Sequence, residues 1–414
     1  MRLSWVILGM VLVASLSYAG DWPGFEGPNR DGISPEKGLA TSWPEGGPKE
    51  LWHFRLGAGF GGSAVKDAKV YVPDRIGKEK DVLHCLDLAN GKELWSVSFD
   101  APGKFDYPGP RATPAVDDKY VFFMGPVGDL YCVELETNKL VWRKSLVKDF
   151  GASIARWAVA ASPLLYKDWV IIAPQSDKAG LAALDKKTGQ TVWSSPGIGG
   201  MGYTSPMITT IDKVEQVVMI ASKSVVGADI KTGKILWQYT AWPCPIPIAS
   251  PTAIGDGRIF VTCIAGGPYK SKSAMFRPQL KDGQWTVEDV FQTLDCQSQM
   301  HNGLLHEKYL YVNSVGSGKG LVCMDLDGKI KWSQGGLSDM GGDMVIAQGM
   351  IYLMDGHSGT LHLIKASPEE YKELSSAQVL EGKGGQVWAP MSIADGKLLC
   401  RDQKQLTCRD ISGK

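Results

Sequence analysis

The stretch Ala183-Leu-Asp185-Lys-Lys-Thr188-Gly189-Gln-Thr-Val-Trp193 returns along most of this chain. Residues 85–95 (CLDLANGKELW) carry it with Cys in the leading position, residues 132–142 (CVELETNKLVW) with Asn138 in place of the Gly, and residues 227–237 (GADIKTGKILW) with a leading Gly. Residues 323–332 (CMDLDGKIKW) hold a version one residue shorter. A small residue opens the motif in a strand, an Asx-Thr-Gly cluster turns the chain with Gly at positive φ, and an apolar strand ending in Trp returns. The unit is therefore a hairpin. Asp87, Asp185, Asp229 and Asp325 recur once per unit, which marks them as acceptors for the turn backbone rather than as acid catalysts.

The spacing says what the hairpins build. Trp52, Trp95, Trp142, Trp193 and Trp237 lie 43, 47, 51 and 44 residues apart, and Trp332 follows after room for two units. Repeats of this period, with β-branched and aromatic runs between turns, predict an all-β, eight-bladed β-propeller of four-stranded antiparallel blades. Eight units open on Ser63, Thr113, Ser162, Ser205, Ser250, His301-Asn302, Asp343 and Ala389-Pro390. The fifth replaces the motif with residues 274–291 around Asp282-Gly283, and the seventh, residues 363–374, has no Trp. The last unit stops in mid-motif after Cys408, while residues 48–54 (PKELWHF) form a returning strand with its Trp and no hairpin before it. An N-terminal strand that completes the last blade closes the ring and leaves no open edge.

The remaining features bound the class of protein. Lysine plus arginine and aspartate plus glutamate each number 44, with no basic cluster, so no nucleic-acid surface is expected. Residues 1–19 combine Arg2, an apolar run and the small residues Ser17 and Ala19, which reads as a cleaved signal peptide. Export to the periplasm or the extracellular space follows, with no transmembrane segment after cleavage and a monomer as the working unit. Residues 20–47 are rich in Gly and Pro and read as an arm that packs on the surface through Trp22, Phe25 and Trp43; residues 48–414 are the propeller. Of eight cysteines, Cys85, Cys132, Cys323 and Cys408 occupy the leading small position of the motif and Cys263 and Cys400 end strands, which leaves Cys244 and Cys296 in loops as the one pair to consider for a disulfide.

The motif at this period resembles the repeat of the PQQ-like β-propellers, a superfamily that includes quinoprotein alcohol dehydrogenases and the outer-membrane assembly factor BamB. The resemblance implies that Trp52, Trp95, Trp142, Trp193, Trp237 and Trp332 dock between neighbouring blades. It also implies two functional models. A quinoprotein oxidoreductase acting on alcohols or sugars is expected to carry PQQ, Ca²⁺ ligands, an aspartate base and adjacent cysteines, and no Cys-Cys pair occurs here. A BamB-like scaffold needs no cofactor.

Loops that lead into the innermost strands converge on one mouth of such a ring. Tyr107, Arg111, Arg156, Trp157, Tyr203, Trp242, Gln299, His301, Asn302, Asp339, Asp343, Gln386 and Trp388 all fall in these segments. Arg, Trp and Tyr are the types enriched at binding hot spots. No HExxH, Gly-x-Ser-x-Gly, P-loop or CxxC spacing occurs, and no metal site is expected. The sequence thus favours a non-catalytic exported propeller whose mouth meets a protein, peptide or glycan in the cell envelope. The PQQ-dependent oxidoreductase is the alternative, and a hydrolase or lyase using His301 with Tyr203 or Arg111 is a third reading.

Overall fold

A computed structural model describes residues 20–413 except 223, 265–271, 338–340 and 383–385; residues 1–19, read from the sequence as a signal peptide, lie outside the described residues. The residues form eight antiparallel sheets in chain order, at residues 64–100, 115–145, 164–194, 207–239, 252–293, 304–334, 344–378 and 392–410. The strand Glu50–Arg55 completes the last of these by pairing antiparallel with Gln405–Asp410, with Trp52 opposite Cys408. The eight-bladed ring is therefore closed by its N-terminal strand. Arg401, fully buried in the last blade, adds a second stitch by donating to the carbonyls of Gly57, Gly61 and Pro73.

The repeat motif explains each joint. Its leading residue sits directly across from its tryptophan, as in Ala183 with Trp193, Gly227 with Trp237 and Cys323 with Trp332. A side chain larger than Cys there would meet the indole, which accounts for the buried cysteines in that position. The motif aspartate accepts turn N–H groups; Asp185 and Asp229 each also take the hydroxyl of the following Thr at 2.8 Å. The tryptophan then reaches the next blade. Trp52, Trp142 and Trp193 donate Nε1–H to the carbonyls of Leu88, Lys186 and Ile230, each one residue past the neighbouring motif aspartate. Trp332 does the same to Ser367, and Trp95 packs into the cluster between the first two blades. Trp237 differs: its Nε1–H turns back to Gln216 of its own blade, because the degenerate fifth blade offers no such turn. In that fifth blade Phe291, opposite Met275, takes the tryptophan position.

The seventh blade solves its missing Trp from outside. Its hairpin puts Ser375 at the tryptophan position, across from Leu363. Trp43 of the N-terminal arm donates its backbone N–H to Ser375 Oγ at 2.9 Å and lies 6.0 Å from Tyr352 at 43°. Trp95 meets Tyr71 and Trp332 meets Tyr311 at 6.0 and 6.1 Å in the same tilted way. The arm thus supplies the indole that the seventh repeat lacks.

Nor does the rest of the arm lie on the surface, as its composition led us to expect. Trp22 is 1% exposed and bridges Val65 on the innermost strand of the first blade. Pro23 accepts from Val116 in the second blade, Arg30 donates to the Pro163 carbonyl in the third, Gly32 abuts Leu304 in the sixth, and Ile33–Ser34 pairs in parallel with Ile346–Ala347 in the seventh. A segment that touches the inner strands of five blades occupies the axial channel. Surface composition misled here because a channel, like a surface, accepts Gly and Pro turns that no blade strand holds.

If Trp43 completes the seventh blade, Trp43→Ala should destabilise the protein about as much as Trp332→Ala, roughly 3 kcal/mol at the low end for a truncated aromatic. Urea denaturation measures it, and a Trp43→Ala protein within about 0.5 kcal/mol of wild type would return the arm to the surface.

Candidate binding pocket at the ring mouth

The first residues of the inner strands are tied to each other by hydroxyls. Gly62, Thr113, Ser162 and Ser205 donate backbone N–H to the hydroxyls of Thr113, Ser162, Ser205 and Ser250 at 2.9 to 3.2 Å, each bond crossing to the next blade. Ser63 and Ser392 join the first and last blades at 2.8 Å. The sixth and seventh blades break this pattern with His301 and Asp343. His301 Nδ1 lies 3.0 Å from one oxygen of Asp343, whose other oxygen accepts the Met391 N–H at 2.7 Å. His301 is 8% exposed, and among the described residues its Nε2 has no hydrogen-bond partner.

Above this belt lies a cavity of about 240 Å³ lined by Phe25, Phe60, Tyr107, Arg111, Trp157, Tyr203, Ile248, Gln299, Met300, His301 and Trp388 with the belt serines. One half of the wall is a continuous run of rings. Trp388 stacks on Phe60 at 5.5 Å, Tyr107 stands edge-on to Phe60, and Trp157 links Tyr107 to Tyr203, 5.4 Å away. Polar groups are few and mostly donors. Trp388 Nε1–H is buried with no partner among the described residues, and the Tyr203 oxygen accepts the Trp157 N–H at 3.3 Å, leaving its own O–H to donate. Arg111 lies over the Phe60 and Phe105 rings and spends two N–H groups on the carbonyls of Gly109 and Tyr107. Burial pushes its guanidinium down to about 10, still charged at neutral pH, and no described carboxylate pairs with it.

The mouth residues read from the sequence divide accordingly. Tyr107, Arg111, Trp157, Tyr203, Gln299, His301 and Trp388 line the cavity. Arg156 does not: its side chain is 77% exposed and ion-paired with Asp106. Trp242 is a correction, since it is 1% exposed, packs in the core of the fourth and fifth blades and donates to the Lys272 carbonyl. Asp343 positions His301, Asn302 is buried beneath the belt, Gln386 accepts from Gln403, and Asp339 lies outside the described residues. Phe60 was missed, although it precedes Ser63 as Tyr107 precedes Thr113. Phe25, expected only to anchor the arm, lines the cavity as well. Cys244 and Cys296, the pair the sequence left open, do not meet: Cys296 Sγ packs 3.5 Å from Met324 Sδ and Cys244 faces Cys263.

Comparisons with known proteins agree with the ring. A family model described as outer membrane protein assembly factor BamB matches residues 39–108 and 79–245, together half of the chain. Among solved structures, the quinohemoprotein alcohol dehydrogenase of Comamonas testosteroni superposes with a TM-score of 0.66 at 14% identity, over 95% of this chain and 81% of that one. BamB of Moraxella catarrhalis superposes with a TM-score of 0.59 at 15% identity, over 88% of this chain and 98% of its own. At these identities the likeness shows the fold. A tetrathionate hydrolase of Acidithiobacillus ferrooxidans is 24% identical, and the match spans 45% of each chain, so this chain covers less than half of that relative's length.

The arm brings a carboxyl group to the underside of the pocket. Glu26 is half-buried in the channel, with Arg30, Asp31, Asp343 and Asn302 as its polar neighbours. Burial outweighs the pull of Arg30 and raises its carboxyl from the ordinary 4.5 to about 8. A carboxyl that keeps its proton in the folded chain contributes stability that is whole below 4.5 and is lost as pH rises through 8. Wild type should therefore lose more thermal midpoint than Glu26→Gln between pH 5 and pH 8. An equal loss in both proteins would mean that Glu26 is ionised in the folded ring across that range.

Proposed function

The chain belongs to the PQQ-like β-propeller family, and from its mouth we propose an exported binding protein whose pocket takes an acidic sugar of an envelope or extracellular glycan. Among the described residues no helix is long and apolar enough to cross a membrane. The observation that carries the reading is the wall itself: five linked aromatic rings, with Arg111 and the free O–H of Tyr203 among the lining groups. Aromatic faces accept the C–H face of a sugar ring, while the donors favour anionic and oxygen-rich groups. A half-buried guanidinium with no described carboxylate beside it favours a ligand that brings the negative charge. His301, held by Asp343, completes the polar side of the wall. The cavity, about 240 Å³, is on the scale of a pocket for a small ligand.

PQQ held by Ca²⁺ does not fit these residues. The ion asks for several carboxylate and amide oxygens, and among the described residues the cavity wall contains no Asp or Glu. Of the carboxylates beside lining residues, Asp343 has both oxygens engaged by His301 and Met391, Asp106 is paired with Arg156, and Glu26 keeps its proton beside Arg30. No adjacent cysteines stand under the pocket. We therefore take the pocket to work without the quinone.

Calorimetric titration with uronic-acid oligosaccharides, their neutral counterparts and unrelated acidic peptides tests the reading. Binding of the acidic sugars alone is the predicted result, with Arg111→Met weakening it by roughly ten- to a hundredfold, the range of a charged hydrogen bond. Equal binding of the neutral sugars, or preference for the peptides, would refute the acidic-glycan assignment. Dye reduction on adding PQQ, Ca²⁺ and an alcohol would replace it with the oxidoreductase.

A further inference from the structure

The loop entering the fifth blade and the end of that blade's second strand bring two sulfur atoms together. Cys244 Sγ lies 2.8 Å from Cys263 Sγ, and both residues are 3% exposed. Unbonded carbon atoms settle roughly 3.5–4.0 Å apart, and sulfur is the larger atom, so this pair stands well inside non-bonded contact and needs only a small closure to reach the ~2.05 Å of a disulfide. The loop is also stiff where it matters. Cys244 is set between Pro243 and Pro245, which fix their own φ angles, and the preceding Trp242 is buried with its indole N–H on the Lys272 carbonyl. We infer that Cys244 and Cys263 form a disulfide that pins this mouth loop to the fifth blade.

The chemistry is a two-electron thiol–disulfide exchange. One thiolate attacks a sulfur of an oxidant disulfide, either an exported thiol oxidase or glutathione disulfide, and expels one thiol; the second thiolate then displaces the other. The Sγ–Sγ bond forms, both S–H bonds are lost, and the oxidant leaves as two thiols carrying the two protons and two electrons. Because both sulfurs end up buried, the exchange belongs to folding, before the loop closes over them. The cross-link has a place in the pocket. Pro247 accepts the Tyr203 N–H at 2.8 Å, and Ile248 and Ser250 of the same loop line the cavity opposite the aromatic rings. A bond at Cys244 fixes that half of the wall to the ring body.

The inference stands on the sulfur geometry and not on the ligand. Full-length protein folded with glutathione disulfide present is denatured, alkylated without reductant and digested for mass spectrometry. Six of the eight cysteines should be alkylated, and the Cys244 and Cys263 peptides should run joined, lighter by two hydrogens, separating only after reduction. Reductant should also lower the thermal midpoint of wild type and leave that of a Cys244→Ser, Cys263→Ser protein unchanged. Eight alkylated cysteines in the oxidised protein, or Cys244 joined to any cysteine other than Cys263, would overturn the inference.

Discussion

An indole laid on a glycine holds this ring together. Trp52, Trp142 and Trp193 lie against Gly91, Gly189 and Gly233 of the next blade, each in the left-handed region, where a Cβ would collide with the ring. The glycine is fixed twice, by the φ its turn needs and by the space the indole takes. The indole N–H then finds a carbonyl just past the neighbouring aspartate, so its burial leaves no polar atom unpaired. Each of these three joints couples one blade's last strand to the next blade's hairpin. Because the ring is closed through Trp52, no joint is terminal.

That constraint also explains why the N-terminal segment is built into the body. A ring whose seventh repeat lacks its indole has an open apolar cleft at one joint, and Trp43 fills it. A ring of eight blades has a channel at its axis, and residues 22–34 fill that. The mouth becomes a blind cavity with Phe25 among its lining residues, instead of the end of a tunnel. Packing and site are therefore one construction. The residues that complete the fold also give the pocket its depth.

Much of the ring was legible in the sequence because each repeat states the same physical rule. The small residue, the Asx-Thr-Gly turn and the Trp are all needed for one hairpin and one joint, so five copies in register left little freedom in the reading. The split motif at Trp52 and Cys408 revealed closure for the same reason. The pocket was only half legible. Residues such as Tyr107, Trp157 and Tyr203 are found by position, since they precede the inner strands. What each side chain meets is not periodic: Trp242 stands in an equivalent loop and turns into the core, because Lys272 offers its carbonyl there. The axial arm was illegible for a deeper reason. Its partners come from five blades spread along the chain, and no local spacing encodes a segment whose contacts are all long-range.

Native-state hydrogen exchange tests most directly whether the arm is part of the ring. The amides of Trp22 and Val65, which bond each other, and of Ile346, which bonds Gly32, should exchange with the same opening free energy as the Val217 to Ile220 amides in the middle of a complete blade. Exchange of the arm-bonded amides orders of magnitude faster than that blade, with the blade itself unaffected, would contradict the account, leaving an open channel beneath the mouth.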